Sequence, residues 1–324
     1  MQAVFKGTGT KKIMLIAHMD TVYLKGMLKD QPFRIDGDKA YGLGIADDKQ
    51  GVALILHTVA MLQQLKFKDY GTLTVLINGD EEISSPGWRS TITRVAADQD
   101  AVFSFEGGGT DGTLRLATSG IGSAYLTVQG KSSHAGAKPE DGVNALYELS
   151  HQLLQMKDLS KPEQGLKLNW TVSKAGTNRN VIPAEATAQA DARALKVADF
   201  DGLEKTLQEK VKTTMVPGAK VSLKFEVRRP PLEATDASRR IAGYGKTIYQ
   251  ELGMSLNVVE KATGGGTDAA FAALKTQGAV VEGMGLSGYG AHSNDAEYVQ
   301  INTIVPRLYL ATRMIMDLST GKLK

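Results

Sequence analysis

Apolar positions along the 324-residue chain come in two textures. Up to about residue 119 they form short unbroken runs, at 13–17 (IMLIA), 73–77 and 102–105. Between the first two lies 51–65 (GVALILHTVAMLQQL), whose apolar residues recur at helical spacing. Strands apolar on both faces that alternate with helices predict a mostly parallel sheet covered by helices on both sides. From Gly120 the pattern changes. Residues 123–129 (SAYLTVQ) alternate apolar and polar, as a strand with one solvated face does. An amphipathic helix is expected over 142–156, alternating strands over 167–174 and 184–195, a helix over 199–214 and a last strand over 221–227. That β-α-β-β-α-β order is the order of a ferredoxin-like unit. After Arg228-Arg229-Pro230-Pro231 the helix and strand pattern resumes. The expected architecture is an α/β domain made of residues 1–119 and 229–324, interrupted by an inserted α+β domain at 120–228.

Composition narrows the class. An apolar share of 42% and a charged share of 23% are those of a globular protein. The length suits two domains better than one core. The formal net charge is +3, and the basic residues are dispersed, with no Lys/Arg block and no basic-aromatic interleaving. Nucleic acid is therefore not an expected partner. No apolar run is long enough to span a membrane, so no membrane partner is expected either. No signal-peptide pattern is read at the N-terminus, and the compartment, periplasmic or cytoplasmic, stays open. The absence of cysteine excludes disulfides and thiolate metal ligands.

Polar chemistry gathers where the apolar runs stop. The run 13–17 ends at His18-Met19-Asp20, which would deliver an imidazole to the C-terminal edge of a sheet, where open α/β sheets collect ligands. Asp20 would take the second ring N–H of His18 and fix its tautomer. Gly42-Leu43-Gly44-Ile45-Ala46-Asp47-Asp48-Lys49 precedes a helix, and its paired carboxylates argue against an anion cradle. The run 73–77 leads into Asn78-Gly79-Asp80-Glu81-Glu82, and 102–105 leads into Glu106. His292 follows a glycine-rich turn. His57 and His151 fall inside helical patterns and read as packing or surface residues. Two histidines and three or four carboxylates without cysteine suit Zn²⁺, or Co²⁺ and Mn²⁺ as substitutes, better than Ca²⁺ or Mg²⁺.

Eight stretches in order, HMDTV, GLGIADDKQG, NGDEE, SFE, GKSSHAG, NVIPAEA, TGGGTDAA and AHSNDAEYV, resemble the cocatalytic zinc peptidase family of aminoacylase, peptidase T and glutamate carboxypeptidase. HMDTVYLKG followed by AYGLGIADDK is most similar to the glutamate carboxypeptidase (glucarpidase-like) branch. The resemblance implies a zinc-exopeptidase catalytic domain with an inserted ferredoxin-like dimerisation domain. It implies that His18 and Glu106 hold one zinc, that Glu82 and His292 hold the other, and that Asp47 bridges them beside a cis Asp47–Asp48 peptide. Asp20 would orient His18. Glu81 would be the general base, taking a proton from the shared water and returning it to the leaving amine. His134 would cross a dimer interface into the partner's site, making 120–228 both dimerisation module and catalytic contributor. Asn180 and Arg193 would bind the substrate's free carboxylate, and the turn Gly264-Gly265-Gly266 would bring backbone N–H groups near the substrate, through Gly265 and Gly266 above all.

Members of that family carry several dozen residues ahead of the His-x-Asp strand, whereas seventeen precede His18 here. The N-terminal part of the catalytic domain is therefore expected to be missing. The implied activity is that of a dizinc exopeptidase releasing a C-terminal amino acid, glutamate first. An aminoacylase or dipeptidase with the same site, and an inactive dimeric binding protein of the same fold, are the alternatives. Arg115 is the only basic residue of the glycine-rich stretch 107–116 (GGGTDGTLRL), where side chains could reach a substrate.

Overall fold

The computed structural model describes residues 1–262, 265–293 and 296–323. The chain divides into two compact units, Met1–Thr118 with Leu232–Lys324, and Ser119–Pro231.

The first unit is built on a five-stranded sheet in the order Gln2–Lys6, Thr72–Asn78, Lys12–His18, Ala101–Ser104, Ala279–Val281. Four strands are parallel, and the edge strand Gln2–Lys6, which the apolar pattern did not foretell, is antiparallel. The strand Lys12–His18 shows why both faces had to be apolar. Ile13, Leu15 and Ala17 pack into one core with the helices Gln50–Gln64, Asp236–Glu251 and Ile304–Ser319. Met14 and Ile16 point the other way, into a second core with the helices Arg89–Ala96 and Ala269–Ala273. Each fully buried side chain of this kind contributes about 1.5–3 kcal/mol. The parallel strands also stop at one level, since His18 pairs with Asn78 and Ile16 with Ser104. Residues just past those ends therefore share one sheet edge. The strand expected over 102–105 runs instead over Ala101–Ser104, so Glu106 sits two residues beyond it.

A small sheet of Arg34–Asp36, Lys39–Tyr41, Tyr298–Gln300 and Gly288–Tyr289 belongs to the same unit. Val299 pairs with Ala40 and Tyr298 with Tyr41, which draws the His292 segment towards the loop carrying Asp47.

The second unit has four antiparallel strands in the order Lys220–Arg229, Gly120–Gln129, Glu185–Ala194, Lys167–Ala175. Numbered along the chain that is 4-1-3-2, a ferredoxin-like arrangement. Ala124, Leu126 and Val128 face the helices Ala145–Met156 and Val197–Lys210, meeting Leu149, Phe200, Leu203 and Leu207. The intervening Ser123, Tyr125 and Thr127 face away, as the alternation required. The helix expected from residue 142 starts at Ala145, because the Asn144 side chain accepts from the amides of Leu146 (3.0 Å) and Tyr147 (3.2 Å).

Candidate metal centre

His18, 1% exposed, closes its strand. Its Nδ1 lies 3.1 Å from the Asp20 carbonyl oxygen and 3.3 Å from Asp20 Oδ1. Two acceptors at Nδ1 hold a proton there, so Nε2 is the nitrogen left for a cation. Nε2 faces Asp47 Oδ1 at 2.9 Å and Glu106 Oε1 at 3.4 Å. His292 Nε2 lies 3.2 Å from Asp47 Oδ2 and 3.0 Å from Glu82 Oε2. The two oxygens of Asp47 thus face two different imidazoles. His292 adopts φ 64°, a left-handed conformation in which non-glycine residues are uncommon.

Lone pairs and carboxylates pointed at one another repel unless positive charge lies between them. The proton equilibria reflect this. Burial opposes a charged His18, but Glu106, Asp20 and Asp47 outweigh it and hold the imidazolium far above its ordinary range. Burial and then Asp47 push Glu82 up, against the pull of His292 and His18. Asp48 is also raised, by complete burial first and then by Glu106. Asp20 goes the other way. Burial would raise it, yet His18 and the amide of Glu82, whose N lies 3.0 Å from Asp20 Oδ2, bring it down to about 2. Glu82 Oε1 is buried and, among the described residues, accepts no hydrogen bond. A divalent cation fits these donors.

Asp48 also comes near, since ligand atoms of His18, Asp48 and Glu106 lie within 4.8 Å of one another, as do those of His18, Asp47 and Glu82. Its oxygens are already engaged: Oδ1 accepts from Gln50 Nε2 at 2.8 Å and Oδ2 faces the His18 amide at 3.4 Å. The Asp47 oxygens instead face the two imidazoles. The Asp47–Asp48 peptide is cis. Gly51 is required behind it, because a Cβ there would lie 2.3 Å from Asp48 Oδ1 and 2.4 Å from the Phe105 carbonyl.

Sequence reasoning missed what aims Asp47. Glu297 is buried and its carboxylate accepts from the amides of Gly44 (2.7 Å), Ala46 (2.8 Å) and Asp47 (3.2 Å). It also accepts from the Tyr23 hydroxyl, which lies 3.2 Å from the Ser293 carbonyl beside His292. One carboxylate therefore ties the Asp47 turn to the His292 segment. Glu297 stands in the AHSNDAEYV stretch, so its acidic character was visible although its target was not. A second brace, Asp268, accepts from Asn78 Nδ2 (2.7 Å) and Ser85 Oγ (2.5 Å) and so ties the loop after Glu81 and Glu82 to its strand. Glu81 is buried next to Glu82.

The remaining candidates divide between the units. Gly265 is exposed and Gly266 half-buried, while Gly264 lies outside the described residues. His134, Asn180 and Arg193 belong to the second unit. There His134 pairs with Val181, and the Ala135 amide donates to the Asn180 carbonyl at 2.9 Å, so His134 and Asn180 share one loop pair. Amides of Gly136 (3.2 Å) and Ala137 (3.1 Å) donate to His134 Nδ1, which leaves Nε2 as the N–H donor. Arg193 pairs with Ile121 near the other end of the same sheet. Its guanidinium contacts Asp191 through Nε and Nη2, both at 2.9 Å.

A family model described as Peptidase family M20/M25/M40 matches residues 14–317. The chain belongs to that family. Among its M20 relatives, Carboxypeptidase G2 of Pseudomonas sp. (strain RS-16) is 48% identical over 318 residues, covering 98% of this chain and 76% of that protein. The solved structure of aminopeptidase PepT from Bacillus cereus ATCC 10987 matches with a TM-score of 0.79 at 20% identity, over 98% of this chain and 84% of that one. Bacillus subtilis YXEP, described as a dinuclear metal binding peptidase from the M20 family, matches with a TM-score of 0.69 at 18% identity, over 98% and 85%. Those two structures establish the M20 fold, the α/β architecture expected from the apolar pattern. The chain is a metal-dependent hydrolase of the M20 peptidases.

Proposed function

We propose that this metallo-carboxypeptidase would hold two zinc ions, with Asp47 contributing to both, and release a C-terminal amino acid, glutamate before others. The reaction class follows from the 48% identity to Carboxypeptidase G2 over nearly the whole chain. The observation that carries the dimetal reading is the division of Asp47, with Oδ1 at His18 and Oδ2 at His292. His18 and Glu106 would hold one ion, Glu82 and His292 the other. A mixed imidazole and carboxylate set favours zinc. When bound, the pair supplies Lewis-acid polarisation of the scissile carbonyl and a water acidified towards neutrality.

The chain's own residues do the rest. Asp20 holds His18 in the tautomer that presents Nε2. Glu81, buried beside Glu82, takes the water's proton and passes it to the leaving amine nitrogen. The Arg193 fork suits the substrate's free carboxylate, with Asn180 as a further donor. His134, with Nε2 fixed as a donor, suits a developing oxyanion.

Two features support a dimer through the second unit. Arg193 and the start of its strand at Glu185, next to the His134 and Asn180 loops, are separated by about 27 Å at about 3.4 Å per residue. One amino acid cannot reach both ends of a single copy. The helix Ala145–Met156 also exposes Leu146, Tyr147 and Leu154, a stripe that a second copy would cover.

The test is hydrolysis of an N-acyl amino acid panel, each acid beside its C-terminal amide. A preference for the free carboxylate of at least about a hundredfold is expected, since a site built for a charged group rejects its absence strongly. Equal rates on the amides would contradict the carboxypeptidase mode and favour an aminoacylase.

A further inference from the structure

We infer that Arg115 selects an acidic side chain on the amino acid released; the inference rests on the carboxypeptidase reading above. A cavity of about 170 Å³ opens beside Asp47 and Glu106, walled by Gly107, Gly109 and Tyr289, and the cation in its lining is Arg115. The strand Leu114–Arg115 explains why that side chain is there. Leu114 and Leu116 are fully buried in the core, so alternation turns Arg115 to the opposite side. Backbone pairing with Glu282, through Arg115 N to the Glu282 carbonyl at 2.8 Å, fixes the register.

The glycines make room for it. Gly109 has φ +71°, and a Cβ on it would lie 2.8 Å from Arg115 Nη2. The guanidinium donates through Nη1 to the Gly107 carbonyl at 3.1 Å. Among the described residues no carboxylate forms an ion pair with it, so most of its planar donor fork remains uncommitted. Arg115 interacts electrostatically with the buried Glu282 carboxyl, yet a cation beside a site for two divalent ions still opposes their binding, unless the ligand occupying the cavity is itself an anion. Planar N–H pairs match a carboxylate bidentately. A cavity this small suits the side chain of glutamate or aspartate rather than a larger acid.

The test compares kcat/KM for N-benzoyl-glutamate and N-benzoyl-glutamine in the metal-loaded wild type, Arg115→Gln and Arg115→Lys. The two substrates share shape and α-carboxylate, so their ratio isolates side-chain charge. The wild type should favour glutamate by more than about tenfold, because leaving a charged donor unpaired is costly. Arg115→Gln should lower that ratio at least about tenfold, and Arg115→Lys should keep most of it. Inhibition by free glutamate against free glutamine should follow the same order, independently of turnover. An unchanged ratio in Arg115→Gln, or a wild type indifferent to the pair, overturns the inference and leaves the carboxypeptidase reading intact. Loss of both activities together in Arg115→Gln and also in Arg115→Met assigns Arg115 a structural role and overturns it too. A wild type that hydrolyses neither substrate, nor any other N-acyl amino acid, fails the carboxypeptidase reading and this inference with it.

Discussion

Glu81 and Glu82 are adjacent carboxylates to which the proposed mechanism gives different tasks. Glu82 presents Oε2 to His292 at 3.0 Å, and Glu81 is buried beside it. Glu81→Gln would remove the proposed proton acceptor and keep the shape. It should lower kcat by about 10²–10⁴-fold with metal content unchanged, as loss of a general base does. A variant that lost metal instead would make Glu81 a ligand. At this scale the sequence was informative wherever a residue's position on a strand determines where it ends up. His18 ends an apolar strand, Glu82 and Glu106 follow two others, and register brings the strand ends level. It left open where Arg115 points, since that depends on which side of a two-residue strand the core lies.

Between elements, the tie that matters most is Glu297. Its carboxylate gathers the Gly44, Ala46 and Asp47 amides onto the segment that follows His292, across some 250 positions of chain. No local pattern announces such a contact, because the donors are backbone groups that every residue owns. Glu297→Ala would leave those amides without their acceptor and free Asp47 to turn. We expect metal affinity about 10–100-fold weaker, by competition with a chromogenic chelator, as for other groups that orient metal ligands. Affinity equal to wild type would show that Asp47 is aimed by its turn alone. Element boundaries were legible to within a few residues. The helix starting at Ala145 rather than 142 was missed because a side-chain cap, Asn144, sets the start, and capping leaves no apolar signature. The edge strand Gln2–Lys6 was missed because burial alternates along it without a long apolar run.

For the whole molecule, the change of texture near Gly120 predicts a boundary there, and the chain divides between Thr118 and Ser119. Ferredoxin-like order was readable because its strands alternate, and the parallel sheet because its strands do not. Dimer catalysis is a claim at this scale. Mixing Glu81→Gln with His134→Ala subunits should restore up to about a quarter of wild-type activity if His134 acts across the interface, since random hybrids then contain one intact composite site. Recovery no greater than the sum of the parents would confine His134 to its own subunit.

The most direct test of the central claim is the metal content of the purified protein, wild type beside His292→Ala, with chelator sensitivity followed on the same samples. Two zinc ions per chain are expected in the wild type and one in His292→Ala, because Asp47 Oδ1, His18 and Glu106 would still hold the other. Chelation should abolish hydrolysis of N-acyl-glutamate, and added zinc should restore it. A single ion in the wild type, or the same content in both proteins, would contradict a site divided by Asp47.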